Sequence, residues 1–179
     1  MLLPSNRPIL STMTPPTAEA AAPDAIGRQL SLLLVLNLRS RGAETSHGDR
    51  APGLRVQPAC CVARDGRLVT FAAPEAIRPF LYKCVEQWLG STTERPSPRD
   101  VAAAAARFWL TFVAVHPFVD GNGRTAKAFL RMELEPLGFA ISGFELIDRY
   151  LIEGKAGDLE NLAALFLMSI KTSPSGGNA

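Results

Sequence analysis

Two stretches with helical periodicity meet in the middle of this chain at nine residues, His116-Pro117-Phe118-Val119-Asp120-Gly121-Asn122-Gly123-Arg124. The upstream stretch has a complete start, with Ser97 as cap, Pro98 in the first turn and Asp100 at the third position. It runs to Val115 through the alanine run 102–106, whose small side chains allow close helix–helix approach. Phe108, Trp109, Phe112 and Val115 recur at helical spacing and read as core rather than as a cofactor box. The downstream stretch runs from about Asn122 to Leu137, with Gly138 as its stop. Glycines on either side of Asn122 free the backbone to turn several N–H groups toward one point.

The charges at this junction narrow the chemistry. Arg124 and Lys127 fall in the first turns of the downstream helix, where the helix dipole already disfavours cations. Arg131 shares their face, since positions three and four apart line up. Cations stacked on a positive helix end imply an anion between them, and phosphate is the natural one. Phe129, Leu130, Met132, Leu134 and Leu137 supply the apolar remainder of that helix. Asp120, just outside the helix start, could cap it or hold Mg²⁺, which needs few protein carboxylates when phosphates supply the other oxygens. His116 follows a helix C-terminus, whose dipole favours imidazolium; to act as a base near neutral pH it needs partial burial or the nearby basic stripe. Base, metal carboxylate, backbone anion nest and cationic clamp are the parts for phosphoryl-type transfer.

The rest of the chain reads as more helix with one β-hairpin. Asp24 to Arg41 forms the first helix, ended by Gly42, and its Leu/Val density predicts burial on more than one face. A polar loop over Ala43–Leu54 carries His47, read as solvated. Across Arg55–Phe71, Val56, Cys60, Cys61, Val62, Leu68, Val69 and Phe71 surround Asp65-Gly66, a two-residue hairpin turn and the only clear β signal. The hairpin is either a clip packed on the helices or an edge that pairs with an extended segment of another protein. A second helix is expected to begin near Pro79 and end at Gly90, burying Phe80, Leu81, Cys84, Val85 and Trp88 on one face. Helices over Phe144–Glu153 and Asp158–Lys171 complete an all-α bundle.

Composition sets the outer limits. With 47% hydrophobic and 20% charged residues, the chain can bury one sizeable core. A net charge of +2 gives no footprint for nucleic acid. Three cysteines, two of them adjacent, make neither a disulfide framework nor a metal-ligand spacing, which points to reduced thiols in the cytoplasm. Leu30–Leu38, the most apolar run, is far shorter than the roughly 20 residues that span a bilayer, so no membrane segment is expected. Residues 1–23 form a Pro/Ala-rich tail, read as disordered and not as a secretory signal; residues 172–179 form a second flexible tail. The folded domain is placed at 24–171.

The run from His116 through Arg124 and on to Lys127 resembles the signature of the Fic family, His-Pro-Phe-x-Asp/Glu-Gly-Asn-Gly-Arg-x-x-Arg, at every fixed position but the last. Pro52-Gly53-Leu54-Arg55, the hairpin and the helix into His116 follow the family's usual order. The resemblance implies a Fic-type helical bundle with one β-hairpin flap. It further implies a protein adenylyltransferase that moves AMP from ATP, with Mg²⁺, to a hydroxyl of a target protein. By that resemblance His116 would deprotonate the hydroxyl and Asp120 would hold Mg²⁺. Gly121, Asn122 and Gly123 would cradle the α- and β-phosphates, and Arg124 would neutralise their charge. The 56–71 hairpin would be the flap that registers a target segment by strand pairing. Transfer of UMP, phosphocholine or phosphate, or a binding module whose chemistry has decayed, are the alternatives. Gly123 argues against the kinase-like Doc type, which shows lysine there.

Two departures from the family pattern carry consequences. Lys127 stands where the family has a second arginine for the terminal phosphate, and lysine keeps the charge without the bidentate fork. Fifteen of the 19 basic residues are arginine, so composition does not account for that lysine. Many Fic proteins also carry a Ser/Thr-x-x-x-Glu-Gly/Asn helix whose glutamate blocks the second arginine. Ser40–Glu44 has a glycine inside and Thr45 after it, and Glu153-Gly154 has Arg149 in place of Ser/Thr. Neither fits, so no built-in brake is expected, and restraint would come from a separate small, antitoxin-like protein. The expected location is cytoplasmic, with delivery into a host cell as the open alternative.

Overall fold

The computed structural model describes residues 23–41, 53–63, 66–92, 95–152 and 158–172. Among them the chain forms helix α1 (Pro23–Arg41), strands β1 (Cys60–Val62) and β2 (Leu68–Thr70), and helices α2 (Pro74–Ser91), α3 (Pro98–Val115) and α4 (Asn122–Leu134). Strand β3 (Phe139–Ile141), helices α5 (Phe144–Ile152) and α6 (Leu159–Ser169) and strand β4 (Ile170–Thr172) follow. The fold is a helical bundle with two small antiparallel strand pairs.

Helix α3 is its axis. Ser97 and Asp100 form the reciprocal capping box at its start, and all but Ala103 of the alanine run is buried. On one side Phe108 stacks on Phe129 of α4 at 4.5 Å and meets Trp88 of α2 edge-on at 5.7 Å. On the other side Trp109 packs against Phe144 of α5 at 5.6 Å and Phe166 of α6 at 6.2 Å. Consecutive aromatics therefore serve two half-cores, and the alanines between let the neighbouring helices come close. Cys84 is buried in this core, where burial pushes its thiol pKa up, as expected of a packing residue.

Several expected boundaries move, each for a physical reason. Helix α2 starts at Pro74, not near Pro79; Pro74 takes the first-turn position and Pro79 sits exposed inside the helix. The carbonyl that Pro79 leaves without an N–H belongs to Glu75 on the exposed side, where water can replace the bond. Helix α4 stops at Leu134 and not Leu137, because Pro136 has no N–H to continue the ladder. A tight turn follows, with Leu137 N–H on the Leu134 carbonyl (3.1 Å), Gly138 N–H on that of Glu135 (3.0 Å), and Gly138 at φ +77°. Of the apolar residues of α4, Phe129, Leu130 and Leu134 are buried and Met132 is exposed.

Ile170 and Lys171 leave helix α6 and join β4, which pairs with β3 in the register Phe139↔Thr172, Ala140↔Lys171, Ile141↔Ile170. The hairpin is thus not the only β structure. Helix α1 buries one face alone (Ile26, Leu33, Leu36, Asn37) against α2 and α4; Leu34, Val35 and Leu38 stay exposed, against the expectation of burial on more than one face. His47, the Glu44 and Glu153 sequences and both tails beyond 23 and 172 lie outside the described residues. No described helix is long and apolar enough to cross a membrane.

Candidate active site

The site is built where α3 ends and α4 begins. His116 is the C-cap of α3 and the only non-glycine residue at positive φ among the described residues (φ 48°, ψ 59°). Its N–H closes on the Phe112 carbonyl at 2.9 Å. The imidazole lies half-buried under the ring of Phe71, stacked at 3.9 Å between centroids and 14° between planes. Its Nδ1 is buried with no hydrogen-bond partner among the described residues. Burial first, and the Arg55 charge second, push the ring's pKa below its ordinary value; the Val113 backbone and Asp120 pull the other way. The burial was expected. The depressing charge is Arg55 and not the basic stripe of α4.

The turn that follows is held from within. Asn122 is buried and reciprocally bonded to Phe118, its Oδ1 accepting from the Phe118 N–H (2.9 Å) and its Nδ2 donating to the Phe118 carbonyl (2.8 Å). What Asn122 offers an anion is therefore its backbone N–H, not its amide side chain. Gly121 sits at φ +79°, a conformation that favours glycine. Thr125 donates to the Gly121 carbonyl at 2.8 Å, and Asn37 of α1 bonds both the Thr125 hydroxyl (3.1 Å) and the Asp120 carbonyl (2.9 Å). Asn37 was missed as a site residue. Its signal was a lone amide inside the apolar run of α1.

No side chain caps α4, so the N–H groups of Asn122, Gly123 and Arg124 keep no helical partner. Gly123 has ordinary helical backbone, and a Cβ built on it would meet nothing within 4 Å. The space over the helix start is open, in the place where an anion would be cradled. Asp120 does not cap the helix. It pairs with Arg124 at 2.9 Å, both side chains more than half exposed (62% and 52%), a bond weak enough to exchange for other partners.

Lys127 points elsewhere. Its Nζ lies 2.5 Å from Asp148 of α5, and both it and Arg131 lie over the ring of Phe144, at 5.8 and 5.2 Å. The structure thus brings His116, Asp120, Gly121, Asn122, Gly123 and Arg124 to one turn, and puts Lys127 one helical turn away under a carboxylate that the sequence did not flag. No group of three or more potential ligands gathers among the described residues. Asp120, a single exposed carboxylate, suits an ion that completes its shell with phosphate oxygens and water, as Mg²⁺ does.

The hairpin stands beside the turn. Its register is Cys60↔Thr70, Cys61↔Val69, Val62↔Leu68, and it continues to Ala63 opposite Arg67 (2.8 Å) and Ala59 opposite Phe71 (3.0 Å). Asp65 of the expected two-residue turn lies outside the described residues, and Gly66 beside it donates its N–H to the Ala63 carbonyl (2.9 Å). Gly66 supplies the left-handed residue at φ +82° that such loops require. Every residue of both strands is exposed, including Val62 (70%) and Leu68 (66%), so the hairpin is not a packed clip. Phe71 and Arg55 at its base touch or approach His116, a role that the sequence did not assign to either, although both lie in stretches it singled out.

A helical bundle that sets a neutral-leaning imidazole against an uncapped, glycine-opened helix start defines a phosphate-handling transferase fold. Residues 34–134 match the Fic/DOC family, to which the chain belongs. It is 32% identical over 114 residues to a Fido domain-containing protein of Dictyostelium discoideum, covering 55% of this chain and 75% of that one. Among solved structures, the fold resembles that of a Bartonella tribocorum effector, BepC, determined with bound AMPPNP (TM-score 0.58, 17% identity, 84% of each chain). It also resembles the N-terminal Fic domain of a Bartonella quintana cell filamentation protein determined with bound ADP (TM-score 0.60, 22% identity, 85% of this chain and 84% of that one). The family commonly transfers AMP to proteins.

Proposed function

We propose that the protein transfers AMP from ATP to a hydroxyl side chain of a target protein. The observation that carries this reading is the pairing of the two sides of one turn: the half-buried His116, whose burial lowers its pKa, and the uncapped N–H groups around Gly123. In the proposed step the target oxygen attacks the α-phosphorus and its proton passes to His116. The bond from the α-phosphorus to the bridging oxygen breaks, and pyrophosphate leaves. The N–H groups of Asn122, Gly123 and Arg124 and the Arg124 guanidinium hold the developing charge. Asp120, released from Arg124, would hold Mg²⁺, which neutralises phosphate oxygens when bound.

The exposed edges of the hairpin fit a target segment in extended conformation, whose main chain would pair with it and present its hydroxyl to His116. Restraint by a separate small protein remains part of the proposal. A second reading rests on Lys127: with Asp148 already on it, the site selects weakly for a third phosphate. A donor with only two phosphates, as for phosphocholine transfer, then becomes a competitor to ATP.

The test is incubation of a cytosolic lysate with ATP labelled at the α- or the γ-phosphate, using wild type and His116→Ala. Transfer of the α-label by wild type alone is expected. Transfer of only the γ-label would replace AMP transfer with phosphorylation, and no transfer of either would refute the reading.

A further inference from the structure

We propose that Arg55 is the positioning residue for His116, locking the base and both feet of the hairpin into one unit. The inference rests on His116 being the base, and its argument is backbone geometry. One residue takes three consecutive carbonyls at the end of α3: the Arg55 guanidinium donates to Val115 (3.1 Å) and, through Nε, to His116 (2.6 Å), and its backbone N–H donates to Pro117 (2.9 Å). The same guanidinium donates to the carbonyl of Gln57 at 2.8 Å and to that of Ala72. Gln57 leads into β1 and Ala72 follows β2, so both feet of the hairpin hang on the group that holds His116.

The carbonyls that α3 cannot satisfy internally complete the argument. Phe112 accepts from His116 N–H, Ala114 from Ala72 N–H at 3.3 Å, and Val115 from Arg55. The Val113 carbonyl would pair at residue 117, a proline without an N–H, and its backbone lies near enough to the His116 ring to favour protonation there. Nδ1 is buried with no described partner, so a proton on it, aimed at that carbonyl, would leave Nε2 as the free lone pair and make the grip on the backbone a choice of tautomer. The left-handed backbone of His116 is unfavourable for a side chain with a Cβ, and precedes a proline that restricts it further. It persists because its neighbours hold it on both sides. Arg55 is 4% exposed, and no described carboxylate pairs with it. A buried cation whose partners among the described residues are all carbonyls is an expensive way to fasten a loop, unless its fork geometry is needed.

The test uses Arg55→Met and Arg55→Lys in the full chain. At saturating ATP, α-label transfer onto a lysate acceptor should fall at least tenfold in Arg55→Met with ADP affinity within twofold of wild type, and Arg55→Lys should recover part of it. Parallel loss of affinity, rate and melting temperature would reduce Arg55 to a structural residue and overturn the proposal. With only two histidines in the chain, ring ¹⁵N spectra report His116 directly. Wild type should show one neutral tautomer protonated at Nδ1, and a folded Arg55→Met should show a mixture; the same pattern in both would also overturn the proposal. If Arg55→Met does not fold, the wild-type Arg55 Nε–H decides. Exchange at least 100-fold slower than in a free guanidinium supports the grip, and exchange at the free rate refutes it. Should wild type transfer no label, the function reading fails while the ring and exchange measurements still decide the role of Arg55.

Discussion

Replacing Gly123 by alanine should make the protein more stable and worse at its work. Gly123 is the second residue of α4, its φ is not positive, and an added Cβ would meet nothing within 4 Å. Alanine therefore costs no contact and removes freedom from the unfolded chain, a gain of about 0.4–1 kcal/mol. For a chain of this size that raises the melting temperature by about 1–4 °C. The same methyl occupies the open space over the helix start. An anion bonded there must come within about 3 Å of the N–H groups, whereas a methyl carbon keeps neighbours near 3.5 Å. Losing one charge-assisted bond costs about 1.5–3 kcal/mol, or about 10–150-fold in affinity. Calorimetric titration with ADP and ATP, beside a thermal melt, reads both effects on one sample. A higher melting temperature with unchanged affinity would show that no phosphate sits over Gly123. A lower one would show that the helix start is not as described. Gly121→Ala is the contrast, because φ +79° makes alanine strained there and stability should fall.

Three further outcomes follow from the same contacts. Asp148→Asn should tighten ATP several-fold more than ADP, because a carboxylate 2.5 Å from Lys127 Nζ must lie within about 6 Å of any phosphate oxygen that the ammonium contacts. At that distance each unit of repulsion is worth about 0.7–1.4 kcal/mol at effective dielectrics of about 80–40; equal tightening of both nucleotides in calorimetry would place the third phosphate elsewhere. Asn122→Ala strands the N–H and carbonyl of Phe118 and should cost about 2–3 kcal/mol, seen as a melting temperature about 4–12 °C lower. Phe71→Ala exposes His116 to water and should move the acid limb of the rate–pH profile to higher pH, because the burial that depresses the pKa is lost while the charges of Arg55 and Asp120 remain. The sign for stability is the same: with the folded-state value below about 6.5, this contribution is full above that pH and is lost as pH falls through the folded value, which acid melts of wild type and His116→Gln compare.

What the sequence made legible is what local chemistry decides. Ser97, Pro98 and Asp100 sit within four residues of one another, and their cap is present as read; so are the core aromatics of α3 and the turn around Asn122. Helix α2 was misplaced because a proline normally marks a start, yet the chain carries Pro79 inside at an exposed point and starts at an earlier proline. Strands β3 and β4 were invisible for a different reason: three residues are too few to show alternation, and Ile170 fits the apolar stripe of α6 as well as it fits a strand.

The site divides along the same line. Its turn was readable because His116 and Arg124 are eight residues apart, whereas the groups that give it its properties come from far along the chain. Arg55 is 61 residues from His116, Asn37 is 83 from Asp120, and Asp148 is 21 from Lys127. The Pro52-Gly53-Leu54-Arg55 stretch resembles the family's order, yet its chemistry alone does not distinguish a surface arginine from one that holds five backbone carbonyls and both feet of a hairpin. The pattern around His116 therefore brings the proposed base and the open helix start together, while the direction of the imidazole's pKa shift and the pairing of Lys127 are set by remote residues. By this argument, two chains with the same nine-residue turn can differ in rate and nucleotide choice through positions 37, 55, 71 and 148 alone.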